Sequence, residues 1–162
     1  MKTLFLGVVA LASSWATAQD PEFDNTKLLP LIGDWTGNAA LHEEEKGAST
    51  IKGTKTIGDR WIQLDLQFDT KEMGKIDARA LLTTDSNGAV GGYFFAAMSS
   101  QPLFGKGKFE GKKLIITATS MEGGETLEFI FDLSVADELK FSLTETEQEK
   151  VTVMHGEYKR KK

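Results

Sequence analysis

The sequence predicts an all-β fold: a single antiparallel up-and-down β-barrel of about ten strands with a short N-terminal helical turn. Three observations carry this. Arg60 to Asp69 alternates strictly, with Ile62, Leu64, Leu66 and Phe68 on one face and Gln63, Asp65, Gln67 and Asp69 on the other, a two-residue period that specifies a half-buried strand. Similar segments recur along the rest of the chain, separated by short runs of Gly, Asn and Asp. No helical segment of the length a parallel crossover requires lies between them.

Taken in order, the chain opens with Lys2, an apolar run from Leu4 to Ala12 and the small-residue triplet Ala16-Thr17-Ala18. A basic start, a short apolar stretch and an Ala-x-Ala-like cleavage site are the parts of a secretory signal peptide; a membrane span needs about 20 apolar residues. Residues 1–18 are therefore read as a signal peptide and 19–162 as one barrel domain, exported to the periplasm or the extracellular space. Thr26 to Ile32 has room for one or two helical turns. Strands are then expected at 34–44, 49–57, 60–69, 77–84, 89–98, 103–109, 113–120, 126–133, 138–145 and 150–160. Asp85-Ser86-Asn87-Gly88, Glu110-Gly111-Lys112, Glu122-Gly123-Gly124 and Ala136-Asp137 supply hairpin turns, because Gly, Asn and Asp tolerate the positive φ of a tight reversal.

Composition narrows the function classes. The 162 residues contain no Cys, which removes disulfides, thiol catalysis and thiolate metal sites. About 144 mature residues suffice for one buried core. The net charge of −5 becomes about −6 once the leader and its Lys2 are removed, whereas nucleic-acid binding needs a concentrated basic face. The basic run Lys159-Arg160-Lys161-Lys162 reads as a solvated tail.

A meander of ten strands avoids exposed edges by closing on itself. The inward face of such a barrel would carry Leu64, Leu66, Phe68, Ala80, Leu82, Phe94, Ala96, Phe129, Phe131 and Phe141, the candidate ligand-binding residues, with Met98 at the end of the fifth strand. Ala78, Ala80, Gly92, Ala96 and Ala118 are small positions on that face and would leave space. A barrel of eight or more strands is either filled by side chains or holds one small ligand. Trp61, Tyr93, Phe95, Ile115 and Ile130 fall on the opposite face. Coverage by a second copy, as a homodimer, is one explanation of them; scattered apolar surface residues, common on soluble proteins, are the other.

The segment Leu31-Ile32-Gly33-Asp34-Trp35-Thr36-Gly37, just before the first strand, resembles the Gly-x-Trp entry signature of the calycins, the superfamily of lipocalins and fatty-acid-binding proteins. Together with Thr84-Asp85-Ser86-Asn87-Gly88 and the terminal Gly156-Glu157-Tyr158-Lys159-Arg160, the spacing is most similar to an exported bacterial lipocalin-like domain family of unknown function. The resemblance covers nearly all of the mature chain. It implies a lipocalin-like barrel whose floor is plugged by Trp35, with Lys159 or Arg160 packed on the ring.

Catalytic patterns are sparse. The sequence has two histidines, His42 and His155, and contains neither Gly-x-Ser-x-Gly nor His-Glu-x-x-His. His42-Glu43-Glu44-Glu45 reads as a solvated acidic edge. Gly105-Lys106-Gly107-Lys108 lies within a strand and lacks the helix start a phosphate cradle needs. Nitrobindins, distant relatives, bind haem through one histidine near the C-terminus; that likeness would make His155 a haem ligand if the face of Val151 and Val153 turned inward. The preferred expectation is a binding module for a small apolar or amphipathic ligand, with no enzymatic activity, cofactor or metal. A close-packed barrel working through its outer surface is the alternative.

N-terminal sequencing of secreted material should return Gln19 as the first residue. A mature protein that retains Leu4 to Ala12 would refute the export reading.

Overall fold

The computed structural model describes residues 23–42, 46–71, 74–120, 124, 126–145 and 151–162. The proposed leader and its cleavage site, Glu43 to Glu45 and most of the Glu122-Gly123-Gly124 turn lie outside the described residues.

Ten strands follow one 3-10 helix at Asn25–Leu31: β1 (Gly33–Leu41), β2 (Gly47–Thr56), β3 (Trp61–Thr70), β4 (Gly74–Thr84), β5 (Val90–Ala96), β6 (Leu103–Glu110), β7 (Lys113–Ser120), β8 (Thr126–Asp132), β9 (Glu138–Glu145) and β10 (Val151–Arg160). Each pairs antiparallel with the next, and β10 returns to β1, so the sheet is a closed barrel with no free edge. The Asp85 turn forms as its residue types predict. Its carboxylate accepts from the Asn87 and Ala89 amides, both at 2.9 Å, and Gly88 adopts φ 81°.

One expected strand is too long. Met98 does not continue the inward row of β5 but stands exposed beyond it, because the Ser99 amide donates to the Ala96 carbonyl and turns the chain away.

One end of the barrel is sealed. The 3-10 helix places Leu28 and Leu31, both fully buried, over that end beside Trp35. It is tied to the barrel rim by polar contacts: the Asp24 side chain accepts from the Thr26 amide at its start, and Asn25 both accepts from the Thr84 amide and donates to the Arg60 carbonyl. Gly53 of β2 has no side chain because the Leu31 carbonyl lies where a Cβ would be, 2.1 Å away.

The β1–β10 seam closes at this same end. Trp35 is paired with Arg160, whose guanidinium lies 4.2 Å from the centre of the indole ring, a favourable cation-π geometry. Arg160, rather than Lys159, makes this contact, since Lys159 faces outward. The guanidinium also donates to the Ile32 and Pro30 carbonyls at 2.5 and 2.8 Å and meets Asp137 at 3.2 Å, while the indole N–H donates to the Leu31 carbonyl at 3.1 Å. Gly33 has φ 130° and would place a Cβ 2.6 Å from Arg160, so both backbone and space require glycine there.

Replacing Trp35 by Ala removes the plug and the surface on which Arg160 rests. Denaturant unfolding should show a loss of about 3 to 5 kcal/mol; a loss below about 1 kcal/mol, ordinary for a surface position, would show that the ring does not seal the barrel.

Candidate functional site

The inner wall divides into two halves. Near the sealed end, Leu64, Ala80 and Leu82 are 0% exposed and Phe131 is 1% exposed, so they are buried against their neighbours. Four of the ten residues expected to line a ligand are thus packed core. The other six, Leu66, Phe68, Phe94, Ala96, Phe129 and Phe141, lie toward the opposite end and retain some exposure.

Aromatic rings form a layer across that half. Phe94 of β5 stacks on Phe129 of β8 with centroids 4.1 Å apart, and Phe141 contacts both Phe68 at 5.9 Å and Phe131 at 5.2 Å. The space inferred from small residues is largely taken up by this layer. A Cβ on Gly105 would lie 2.8 Å from the Phe94 ring, and one on Gly92 would lie 2.6 Å from Leu82. Ala80 and Ala118 are fully buried for the same reason, small side chains facing large ones. Only Ala78 and Ala96, paired with each other across β4 and β5, keep partial exposure. Beyond the ring layer, Leu103, Leu127 and Leu143 are also inward and half-buried. An apolar rim of five residues over an aromatic floor therefore marks the end opposite the Trp35 plug.

One interior feature has no local signature in the sequence. Tyr158 points inward and lies along the wall over Gly156, where a Cβ would be 2.7 Å from the ring. Its hydroxyl is 2.9 Å from that of Ser49. The Ser49 hydroxyl donates to the Gln67 carbonyl at 2.8 Å, so the proton between the two oxygens belongs to Tyr158. The pair satisfies two buried hydroxyls and ties β10 to β2 across β1. No local signal links residues 109 positions apart; only their matching place in the barrel does.

Tyr158 also settles the orientation of His155. The inward residues of β10 are Met154, Gly156 and Tyr158, and His155 stands in the outer row between Ala40 and Ser142. The reading that would turn His155 into the barrel as a haem ligand is overturned. A bulge explains why alternation misleads here: Thr152 pairs with Thr144 and Met154 with Leu143, leaving Val153 as the extra residue. Among the described residues no cluster of three metal-ligating side chains occurs.

On the outer wall, Trp61, Ile115 and Ile130 are half-buried, whereas Tyr93 and Phe95 are exposed. Phe104, in β6, joins them. Tyr93 lies 6.2 Å from Trp61 and 5.4 Å from Phe104.

No protein-family model matches the chain, and no curated protein matches it. Solved structures do. The chain is similar to Rv2717c from M. tuberculosis, with a TM-score of 0.61 at 16% identity over 85% of this chain and 97% of that one. It is also similar to the S-type phycobiliprotein lyase CPES from Guillardia theta, with a TM-score of 0.57 at 13% identity over 88% and 99%. At such identities the likeness establishes the antiparallel barrel fold.

Burial pushes the Tyr158 hydroxyl up to about 12. A phenol that ionises later in the folded than in the unfolded protein stabilises the fold below about pH 10 and loses that contribution as pH rises toward 12. Between pH 9.5 and 11.5 the wild type should therefore lose about 1 to 3 kcal/mol more stability than Tyr158→Phe, measured by denaturant unfolding at each pH. Parallel losses in the two proteins would refute the assignment.

Proposed function

We propose that this is an exported binding protein that takes a small apolar or amphipathic ligand at the open end of its barrel. The observation that carries the reading is the rim of Ala78, Ala96, Leu103, Leu127 and Leu143, inward-facing yet half-exposed, above the Phe94–Phe129 stack. Apolar surface left accessible inside a barrel is the usual lining of a small-molecule site, which is concave, mostly apolar and supplied with few polar groups. The likeness in fold to a phycobiliprotein lyase supports the barrel itself, and fold by itself does not fix function. Export rests on the leader-like segment 1–18.

The ligand would occupy the upper half of the interior only. Leu66, Phe68, Phe94, Ala96, Phe129 and Phe141 then serve as floor and wall, while Leu64, Ala80, Leu82 and Phe131 support them from below. Titration with an environment-sensitive apolar fluorophore should give saturable binding at micromolar concentration. Ala96→Trp, which fills the rim, should weaken that binding at least about tenfold while leaving the unfolding midpoint nearly unchanged, because a half-exposed position tolerates added volume better than a packed one. The proposal fails if the wild type binds no apolar probe, or if Ala96→Trp binds as well as wild type.

A further inference from the structure

We propose that the outer wall of β1–β5 carries a second site, for a neutral oligosaccharide. Its lining includes Leu66, Ala78 and Ala96 of the interior wall, so the two sites share strands β3, β4 and β5. A groove of about 1020 Å³ runs across this part of the wall, at the upper end of the range for small-molecule sites.

Its surface combines two chemistries. The first is a fixed polar grid. Asp65 accepts from Arg79 Nε at 2.6 Å with one carboxylate oxygen and from Gln63 at 2.8 Å with the other, and Gln67 donates to Asp77 at 3.0 Å. These bonds hold five planar groups in place yet leave the Arg79 terminal nitrogens, the second Asp77 oxygen and the Gln67 amide oxygen without partners among the described residues. Planar groups with paired donors and acceptors match the vicinal hydroxyls of a pyranose, as an Arg fork matches a carboxylate.

The second chemistry is aromatic. Phe95, 42% exposed, is the register partner of Arg79 on the adjacent strand, and it leads into the Tyr93–Phe104 pair. A half-exposed ring offers its face to the C–H side of a sugar at small entropic cost. Phe95 and Arg79 side by side thus present a stacking face and a hydrogen-bonding fork to the same ring.

The same features disfavour other occupants. Asp65 and Asp77 offset Arg79 and Lys52, so the groove has no concentrated positive charge for a nucleic-acid backbone. A protein partner would have to strip water from the polar grid at the centre of its footprint, where stable interfaces are depleted of charge. A polyhydroxylated ligand replaces that water bond for bond.

Isothermal titration of the full chain with maltohexaose, cellohexaose, laminarihexaose and chitohexaose tests the proposal. At least one should bind with a sub-millimolar Kd. Phe95→Ala and Arg79→Ala, both at exposed positions, should each weaken it by about tenfold while keeping the wild-type circular dichroism and Tm. Saturating the interior with the apolar fluorophore should leave the sugar affinity unchanged. The proposal is overturned if none of the four sugars binds below about 10 mM, if both variants bind as wild type does, or if the fluorophore competes with the sugar.

Discussion

The closure between the first and last strands is the constraint on which the rest of this structure depends. A ten-stranded meander gains nothing from its middle strands unless its two edges meet, and here they meet where Arg160 lies on Trp35. One guanidinium satisfies two carbonyls at the end of the 3-10 helix, covers the indole and reaches Asp137 at the start of β9. The seam, the plug and the entry turn are therefore one unit. Gly33 belongs to it too, since only a residue without a side chain leaves the guanidinium its place.

A barrel sealed at one end by such a unit has its packing graded along its axis. Next to the plug the interior is close-packed: Leu64, Leu82, Leu114, Ile116 and Leu139 are completely buried. Further up, the wall is set by rings and the gaps opposite them. Phe94 needs the bare backbone of Gly105, and Tyr158 needs that of Gly156. Glycine and alanine on an inner wall thus signal a neighbouring large side chain as readily as a cavity. What keeps some exposure is the rim, where strands run past the last ring and no helix among the described residues covers them.

Strand alternation separates the inner and outer chemistry of the same backbone. Along β4, Ala78 and Ala80 belong to the interior while Asp77 and Arg79 belong to a polar outer wall. A change on one face alters the other only through the strand itself. Two sites with different ligand preferences can for that reason share β3, β4 and β5, and the stability of the barrel, which rests on the sealed half, is spared by changes at either.

Much of this was determined by the sequence alone. The strict alternation of Ile62 to Phe68, the turn residues of Asp85 to Gly88 and the Gly33-Asp34-Trp35 entry are local signals, and the strands, the hairpin and the plug follow them. The ten interior positions could be read as inward from period alone. Which of them are core and which border an opening could not, because that depends on what stands opposite: Leu82 beside Gly92, Phe94 over Gly105. Tertiary structure also decided the face of His155, since one extra residue at Val153 breaks the alternation just before it, and it decided that Arg160 rather than Lys159 meets Trp35. The Ser49–Tyr158 pair was invisible for the same physical reason. A two-residue period states that neighbouring side chains part to opposite faces, whereas the partner across a closed barrel is set by register and closure, which no single strand contains.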